Sequence, residues 1–232
     1  MTGKIFIVAT PIGNMDDISA RALKTLADVD YIVSEDTRET QKLLNHFQIN
    51  KPQISYRDQN HNRVYKQILE LLNSGLNIAL VSDRGTPLIS DPGFKLVRDL
   101  IEEGIKVESI PGPSSVIDAL VLSGLPTDKF VFLGFLPRKE SQIEKILKEY
   151  GELDATLIIF ESPFRLESLL QTALGVLGAR DTVVCKELTK MHEEVYRFNL
   201  AQWNLQKFDL RGEFVVLFSK KEKKGEVFET YM

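Results

Sequence analysis

Short runs of β-branched and aromatic residues alternate with helix-period stretches through the first half of the chain. The apolar runs predict strands at 4–9, 31–33, 53–55, 77–81 and 106–110. Between them, apolar residues recur at three- and four-residue spacing over 20–26, 39–47, 64–72 and 94–103, the period of helices with one buried face. Strand and helix in strict alternation predict a wound α/β sheet. Pro111-Gly112-Pro113 then interrupts the pattern. A rigid, turn-prone tripeptide suits a hinge, and it places the expected domains at 1–112 and 113–232. Beyond it the pattern predicts a helix at 114–123, a very apolar strand at 130–135, a helix at 143–150, a strand at 155–160 and a helix at 165–177. Strand signals near 182–186, 195–198 and 214–218 close the chain. The second half is richer in strands able to pair antiparallel. The expected fold class is therefore α/β, as two α/β domains.

Composition narrows the class. Hydrophobic residues make up 43% and charged residues 27%, the balance of a soluble globular chain. No apolar stretch is long enough to span a bilayer, and the start at Met1-Thr2-Gly3-Lys4 lacks the layout of a secretion signal. A single cysteine, Cys185, excludes an internal disulfide framework and a multi-thiolate metal site. His46, His61 and His192 are scattered without metal-ligand spacing and read as surface or satisfied structural residues. These features predict a cytoplasmic protein with no membrane attachment and no metal. The net charge of −4 counts against binding free nucleic acid, which favours a basic surface. Basic residues do cluster at Arg138-Lys139 with Lys145 and Lys148, and at Lys220-Lys221 with Lys223-Lys224. The second cluster reads as a solvated terminus; the first follows a buried-looking strand and is a candidate for phosphate contact.

Residues suited to chemistry gather just after the strands. Thr10-Pro11-Ile12-Gly13-Asn14 follows the first strand and Ser34-Glu35-Asp36-Thr37-Arg38 the second. Ser82-Asp83-Arg84-Gly85-Thr86-Pro87, running on to Ser90-Asp91-Pro92-Gly93, follows the fourth, and Pro111-Gly112-Pro113-Ser114-Ser115 the fifth. In open α/β sheets ligands bind outside the carboxyl ends of the strands, so four such loops describe one site. Glycine lets a backbone approach a ligand closely, and proline fixes a loop before binding. Singly, Asp83 and Asp91 read as turn residues and Ser19 and Ser114 as helix caps; together on one edge, the loops argue for a ligand. No Gly-x-Gly-x-x-Gly follows the first strand and no phosphate loop is present, so neither a Rossmann dinucleotide nor a P-loop nucleotide site is signalled. Glu35 and Asp36 are adjacent on extended backbone and point apart, a poor acid–base couple.

Read in order, these blocks resemble the ribosomal RNA small-subunit methyltransferase I family. Val8-Ala9-Thr10-Pro11-Ile12-Gly13-Asn14 with Asp17-Ile18 is similar to its opening loop, and Glu35-Asp36-Thr37-Arg38 to its second block. The run from Val81 through Ser82-Asp83-Arg84-Gly85-Thr86-Pro87 to Gly93 resembles its signature loop. Ile110-Pro111-Gly112-Pro113-Ser114-Ser115 and Ser123-Gly124-Leu125-Pro126 resemble its hinge block. Gly134-Phe135-Leu136-Pro137-Arg138-Lys139, Phe160-Glu161-Ser162-Pro163, Lys186-Glu187-Leu188-Thr189-Lys190 with Glu193-Glu194, and Gly212-Glu213-Phe214 complete the likeness. It spans nearly the whole chain.

The resemblance implies two α/β domains of the tetrapyrrole-methylase type with S-adenosylmethionine in the cleft between them, usually in a homodimer. It implies methyl transfer to the ribose 2′-oxygen of a cytidine in the decoding region of 16S ribosomal RNA. Cofactor contacts would come from Pro11, Gly13, Asp83, Gly85, Thr86, Ser114 and Ser115, then Phe160, Glu161, Gly212 and Glu213. A ribose hydroxyl is a weak acid, so a base or a cation near it would assist; Glu161, Lys186, Glu187 and Arg38 stand in family blocks at strand ends and are the candidates. A structural ion pair of Lys186 with Glu187 is the alternative for those two. Arg138 and Lys139 are candidates for RNA phosphates. The acidic charge points to an assembled 30S subunit rather than naked RNA as substrate. Three departures from the family pattern stand out: Arg84 in place of a small residue, Phe164 in place of a histidine, and a chain that is expected to lack a small C-terminal extension. Two other readings stay open, a tetrapyrrole or other small-molecule methylase on the same fold, and a non-catalytic S-adenosylmethionine-binding protein.

Overall fold

The computed structural model describes residues 2–221; Lys223 and Lys224 of the basic tail lie outside them. The chain divides into two compact units, residues 1–115 and 116–232, each carrying a five-stranded sheet.

In the first unit β1 (Lys4–Val8), β2 (Tyr31–Ser34), β3 (Gln53–Ser55), β4 (Ile78–Val81) and β5 (Lys106–Ile110) alternate with α1 (Ala20–Asp28), α2 (Thr37–His46), α3 (His61–Asn73) and α4 (Phe94–Glu102). The strands lie in the order β3-β2-β4-β1-β5, and every pair is parallel. Parallel strands need helical crossovers, which cover both faces of the sheet and explain why β4 is buried at every position. Its side chains alternate between two cores. Ile78 and Leu80 pack with Ile5, Ile7 and the apolar stripes of α3 and α4. Ala79 and Val81 face Val8, Ile32, Leu26 of α1 and Leu44 of α2. A fully buried leucine such as Leu26 or Leu44 stabilises by roughly 2–5 kcal/mol against truncation to alanine.

Side-chain oxygens set the helix starts. Ser19 Oγ accepts the Ala22 amide at 3.1 Å and starts α1, while the Asp36 carboxylate accepts the Arg38 amide at 2.9 Å and starts α2. Gly3 precedes β1 with its amide donating to the Leu72 carbonyl at 2.7 Å, so close that a Cβ there would stand 1.8 Å from the Leu76 oxygen.

The second unit contains α5 (Ser115–Ser123), β6 (Phe130–Phe135), α6 (Glu140–Tyr150), β7 (Thr156–Glu161), α7 (Leu166–Leu177), β8 (Asp181–Lys186), β9 (Glu194–Asn199) and β10 (Phe214–Phe218). Its sheet runs β6-β7-β10-β8-β9, with β6 and β7 parallel and the remaining pairs antiparallel, the mixture expected from the strand-rich second half. Leu157, Ile159, Val184, Phe214, Val216 and Phe218 meet Leu147 of α6 and Leu166, Leu169 and Leu170 of α7 in one core. Two short 3-10 turns, at Met15–Asp17 and Asp58–Asn60, were not signalled by apolar period because they carry no buried face.

Candidate functional site

In the first unit the loops after β1, β2, β4 and β5 leave the same edge of the sheet, because all its strands are parallel. They are tied to each other. Thr10 and Gly85 exchange backbone hydrogen bonds of 2.9 and 3.1 Å, joining the first loop to the third. The Thr86 hydroxyl donates to the Pro113 carbonyl at 2.9 Å, joining the third to the fourth. The Asp36 amide donates to Asp83 Oδ1 at 3.0 Å, joining the second to the third. Gly85 sits at a φ of +74°, and a Cβ on it would press to 3.1 Å from Ile12 Cγ2; glycine meets both demands. Pro11, Gly13, Asp83, Gly85, Thr86, Ser114 and Ser115 are therefore gathered in loops at one sheet edge, with Gly13 and Asp83 exposed.

Charge concentrates there. Asp36 caps α2 and clamps Arg38, accepting from Nε at 3.0 Å and Nη2 at 2.6 Å, which holds its carboxyl far below the usual range. Arg38 itself is mostly exposed. Glu35 behaves oppositely: burial first, then the charges of Asp83 and Asp91, push its carboxyl up. Partial desolvation by the surrounding loops also raises Asp83, exposed as it is, and burial pushes Asp91 to about 6 against the hydrogen bond from Ser82. Arg57 approaches from the next loop, donating to the Glu35 carbonyl at 3.4 Å and lying 3.9 Å from Asp36. Burial is the first cause of these raised carboxyls, and the mutual repulsion of Glu35, Asp83 and Asp91 is the part that a cation would relieve. A sulfonium methyl donor is a cation, and the residues present fit that group.

A chain of polar groups, buried at Tyr56 and His61, meets the far end of the third loop. Asp99 of α4 accepts from His61 Nε2 at 2.9 Å, and His61 Nδ1 pairs with the Tyr56 hydroxyl at 2.9 Å. Asp58 Oδ1 accepts weakly from the Tyr56 hydroxyl at 3.5 Å and from the Gly93 amide at 3.4 Å, where the loop enters α4. Burial lifts the Tyr56 phenol to about 12.

The second unit places its candidates in two clusters. Phe160 and Glu161 end β7. The Phe160 ring packs on Phe132 and Phe135 at centroid distances of 4.8 and 5.5 Å. Glu161 is buried, and Oε1 accepts the Ser162 amide at 2.7 Å. Arg165 Nη2 stands 3.2 Å from Oε2 but directs its hydrogens to the carbonyls of Leu136 and Pro137, both at 3.0 Å. Oε2 is thus left without a hydrogen bond among the described residues, and burial raises this carboxyl despite the neighbouring guanidinium. Arg138 and Lys139 follow that loop, both exposed.

The other cluster joins the ends of β8 and β10. Lys186 is buried along its stem, and its ammonium reaches Asp209 at 2.7 Å and Glu194 at 3.6 Å. It does not pair with Glu187. Glu187, at a φ of +50°, bonds instead to Lys190 at 2.8 Å and accepts the Glu213 amide at 3.0 Å; Lys190 also reaches Glu213 at 2.8 Å. Gly212, at a φ of +95°, passes so close that a Cβ would lie 2.5 Å from the Glu187 carboxyl. Arg57, Arg165, Lys190 and Asp209 were not assigned a site role from the sequence, and Asp91 was read there as a turn residue. The spacing of Glu161 to Arg165 and of Glu187 to Lys190 was the available signal for two of them.

A parallel unit with ligand-type loops at its strand ends, joined to a unit with a mixed sheet, matches a known class. Residues 4–204 match the family of Tetrapyrrole (Corrin/Porphyrin) Methylases. Solved structures share the fold. A diphthine synthase superposes with a TM-score of 0.73 over 94% of this chain and 90% of its own, at 15% identity. A uroporphyrin-III C-methyltransferase from Thermus thermophilus, complexed with S-adenyl homocysteine, gives 0.65 over 94% and 97%, at 16% identity. Closer in sequence is the ribosomal RNA small subunit methyltransferase I of Halalkalibacterium halodurans, 44% identical over 99% of this chain and 80% of that protein. Its namesake from Thermotoga maritima is 44% identical over 95% of this chain and 100% of that protein. The chain belongs to the tetrapyrrole methylases and, within them, to the ribosomal RNA small subunit methyltransferase I family.

Proposed function

We propose that this protein transfers the methyl group of S-adenosylmethionine to the ribose 2′-oxygen of a cytidine in the decoding region of 16S ribosomal RNA. It works in the cytoplasm on the assembled 30S subunit, as a homodimer. The observation that carries this reading is the set of tied loops after β1, β2, β4 and β5, in a chain 44% identical over 99% of its length to a relative named ribosomal RNA small subunit methyltransferase I.

In the first unit Pro11, Gly13, Asp83, Gly85, Thr86, Ser114 and Ser115 would hold the donor; in the second, Phe160, Glu161, Gly212 and Glu213 would. The donor supplies an electrophilic methyl group on a sulfonium leaving group. What remains for the protein is to align the acceptor, exclude water and take one proton. Glu161 suits proton removal because its Oε2 carries no hydrogen bond among the described residues and its carboxyl is raised by burial even beside Arg165. Arg38, Lys186 and Glu187 complete the proposed set. Lys186 and Glu187 are each braced by ion pairs, so they supply fixed charge at the ends of β8 and β10. Arg138 and Lys139 would meet RNA phosphates.

The test is transfer of labelled methyl to small subunits lacking the modification, with Glu161→Ala and Glu187→Ala in parallel. Wild type should label subunits more strongly than naked RNA, and each variant should lose about 100-fold or more in turnover, the usual worth of a positioned base. Turnover equal to wild type in both, with donor affinity unchanged, would refute the catalytic assignment. Donor binding without labelled RNA would move the function to another acceptor or to a binding role.

A further inference from the structure

Phe164 is 94% exposed on a loop that is otherwise fixed. Arg165, the next residue, clamps that loop. Its guanidinium pairs with buried Glu161 at 3.2 Å and donates to the carbonyls of Leu136 and Pro137 at 3.0 Å. Because β6 and β7 are parallel neighbours, the loops after them leave the same sheet edge, and Arg165 locks one to the other. The locked pair presents Phe164 from one loop and exposed Arg138 and Lys139 from the other. Phe135, 61% exposed and packed on Phe160, sits at the same edge. Burying a phenylalanine is worth about 2 kcal/mol, so a fully presented ring on a rigid loop is not explained by folding.

We infer that Phe164 is a stacking platform for an unstacked nucleobase of the RNA, with Arg138 and Lys139 on the adjoining phosphates. The inference rests on the reading of the chain as an RNA methyltransferase and adds to it a residue that orients the target strand. Proteins that read single-stranded RNA combine these two elements, aromatic faces for splayed bases and cations for backbone. A nucleotide whose base is drawn out of the stack can be held in one orientation for transfer, and a flat apolar ring on a loop tied to the one carrying Arg138 and Lys139 receives such a base. A rigid platform loses little entropy on binding.

The experiment measures equilibrium binding of labelled small subunits to the full chain across a salt series, for wild type, Phe164→Ala, Phe164→Leu, Phe164→Trp and Arg138→Ala/Lys139→Ala. Phe164→Ala should weaken binding by roughly 5- to 150-fold, the worth of one stacked base. It should leave the salt slope and the S-adenosylmethionine affinity unchanged. Phe164→Trp should restore binding and Phe164→Leu should not, because leucine keeps the apolar area without the ring face. The double basic variant should flatten the salt slope instead. Binding by Phe164→Leu equal to wild type would overturn the proposal. So would affinity that follows a change in oligomeric state, which would place the ring between two copies of the chain. Wild-type binding with indifferent Phe164 variants sinks this inference alone; no wild-type binding to subunits sinks the parent reading and this one with it.

Discussion

Asp91 shows how one residue exchanges stability for a site. Its carboxyl holds a proton up to about 6 in the fold, against an ordinary 3.8, because burial removes it from water. The folded chain therefore binds more proton at this position than the unfolded chain does. Its contribution is fully present below about pH 4 and is lost as the pH rises through 6. Asp91→Asn should raise stability at pH 7.5 by about 1–2 kcal/mol, less than the full shift because the group is still partly in water, with the gain fading below pH 4. Denaturant unfolding across that range checks it; a constant difference at all pH values would contradict the burial of a charge. Asp36 has the opposite sign. Clamped by Arg38, its carboxyl is depressed, so its contribution is present at neutral pH and is lost as acid is added. The two residues belong to neighbouring loops, yet titrate in opposite senses because one has a guanidinium partner and the other has burial.

Elements are held in place by polar pairs that apolar period does not reveal. Helix α3 was expected from Val64, where the apolar stripe begins, but it starts at His61. His61 carries no periodic signal; it is buried, stacked on Tyr65, and joins Tyr56 to Asp99 of α4. Likewise α6 starts at Glu140 rather than Ile143, through a polar first turn. The strands were read more closely. β3, β5, β6 and β10 fall on their expected residues; of these, β10 is the fully buried, continuous apolar run, while the others are bounded by turn residues. His61→Ala should cost about 2–4 kcal/mol by leaving a cavity and a buried phenol without its imidazole partner, while Asp99 keeps Arg98. His61→Gln, which retains one hydrogen bond, should cost less. Chemical denaturation of both measures it, and a loss below about 1 kcal/mol for alanine would show that α3 and α4 do not depend on this chain of groups.

At the scale of the whole molecule, what could be read from sequence was the set of loops, and what could not was their partners. Order along the chain placed Thr10, Asp36, Asp83 and Pro113 after parallel strands, and parallel strands put them on one edge without further information. Which carboxylate would be raised depended on residues far apart in sequence meeting in space. Glu35 was set aside as the neighbour of Asp36, although it interacts with Asp83 and Asp91 across 48 and 56 positions (83 − 35 and 91 − 35). The expected alternative of a Lys186–Glu187 ion pair fails for a local reason. Glu187 turns to a φ of +50° after β8, which takes its side chain to Lys190 while Lys186 stays with Asp209.

The central claim is transfer to a ribose oxygen, and the chemistry of RNA hydrolysis decides it. A 2′-O-methyl group removes the hydroxyl that attacks the neighbouring phosphodiester in alkali, whereas a methyl group on a base leaves it in place. Small subunits would be labelled with methyl-tritiated S-adenosylmethionine by the wild-type protein, and their RNA hydrolysed in alkali and resolved by length. The account predicts that the label is recovered in an alkali-resistant dinucleotide containing cytidine. Label recovered in mononucleotides would contradict it, because the methyl group would then sit on a base.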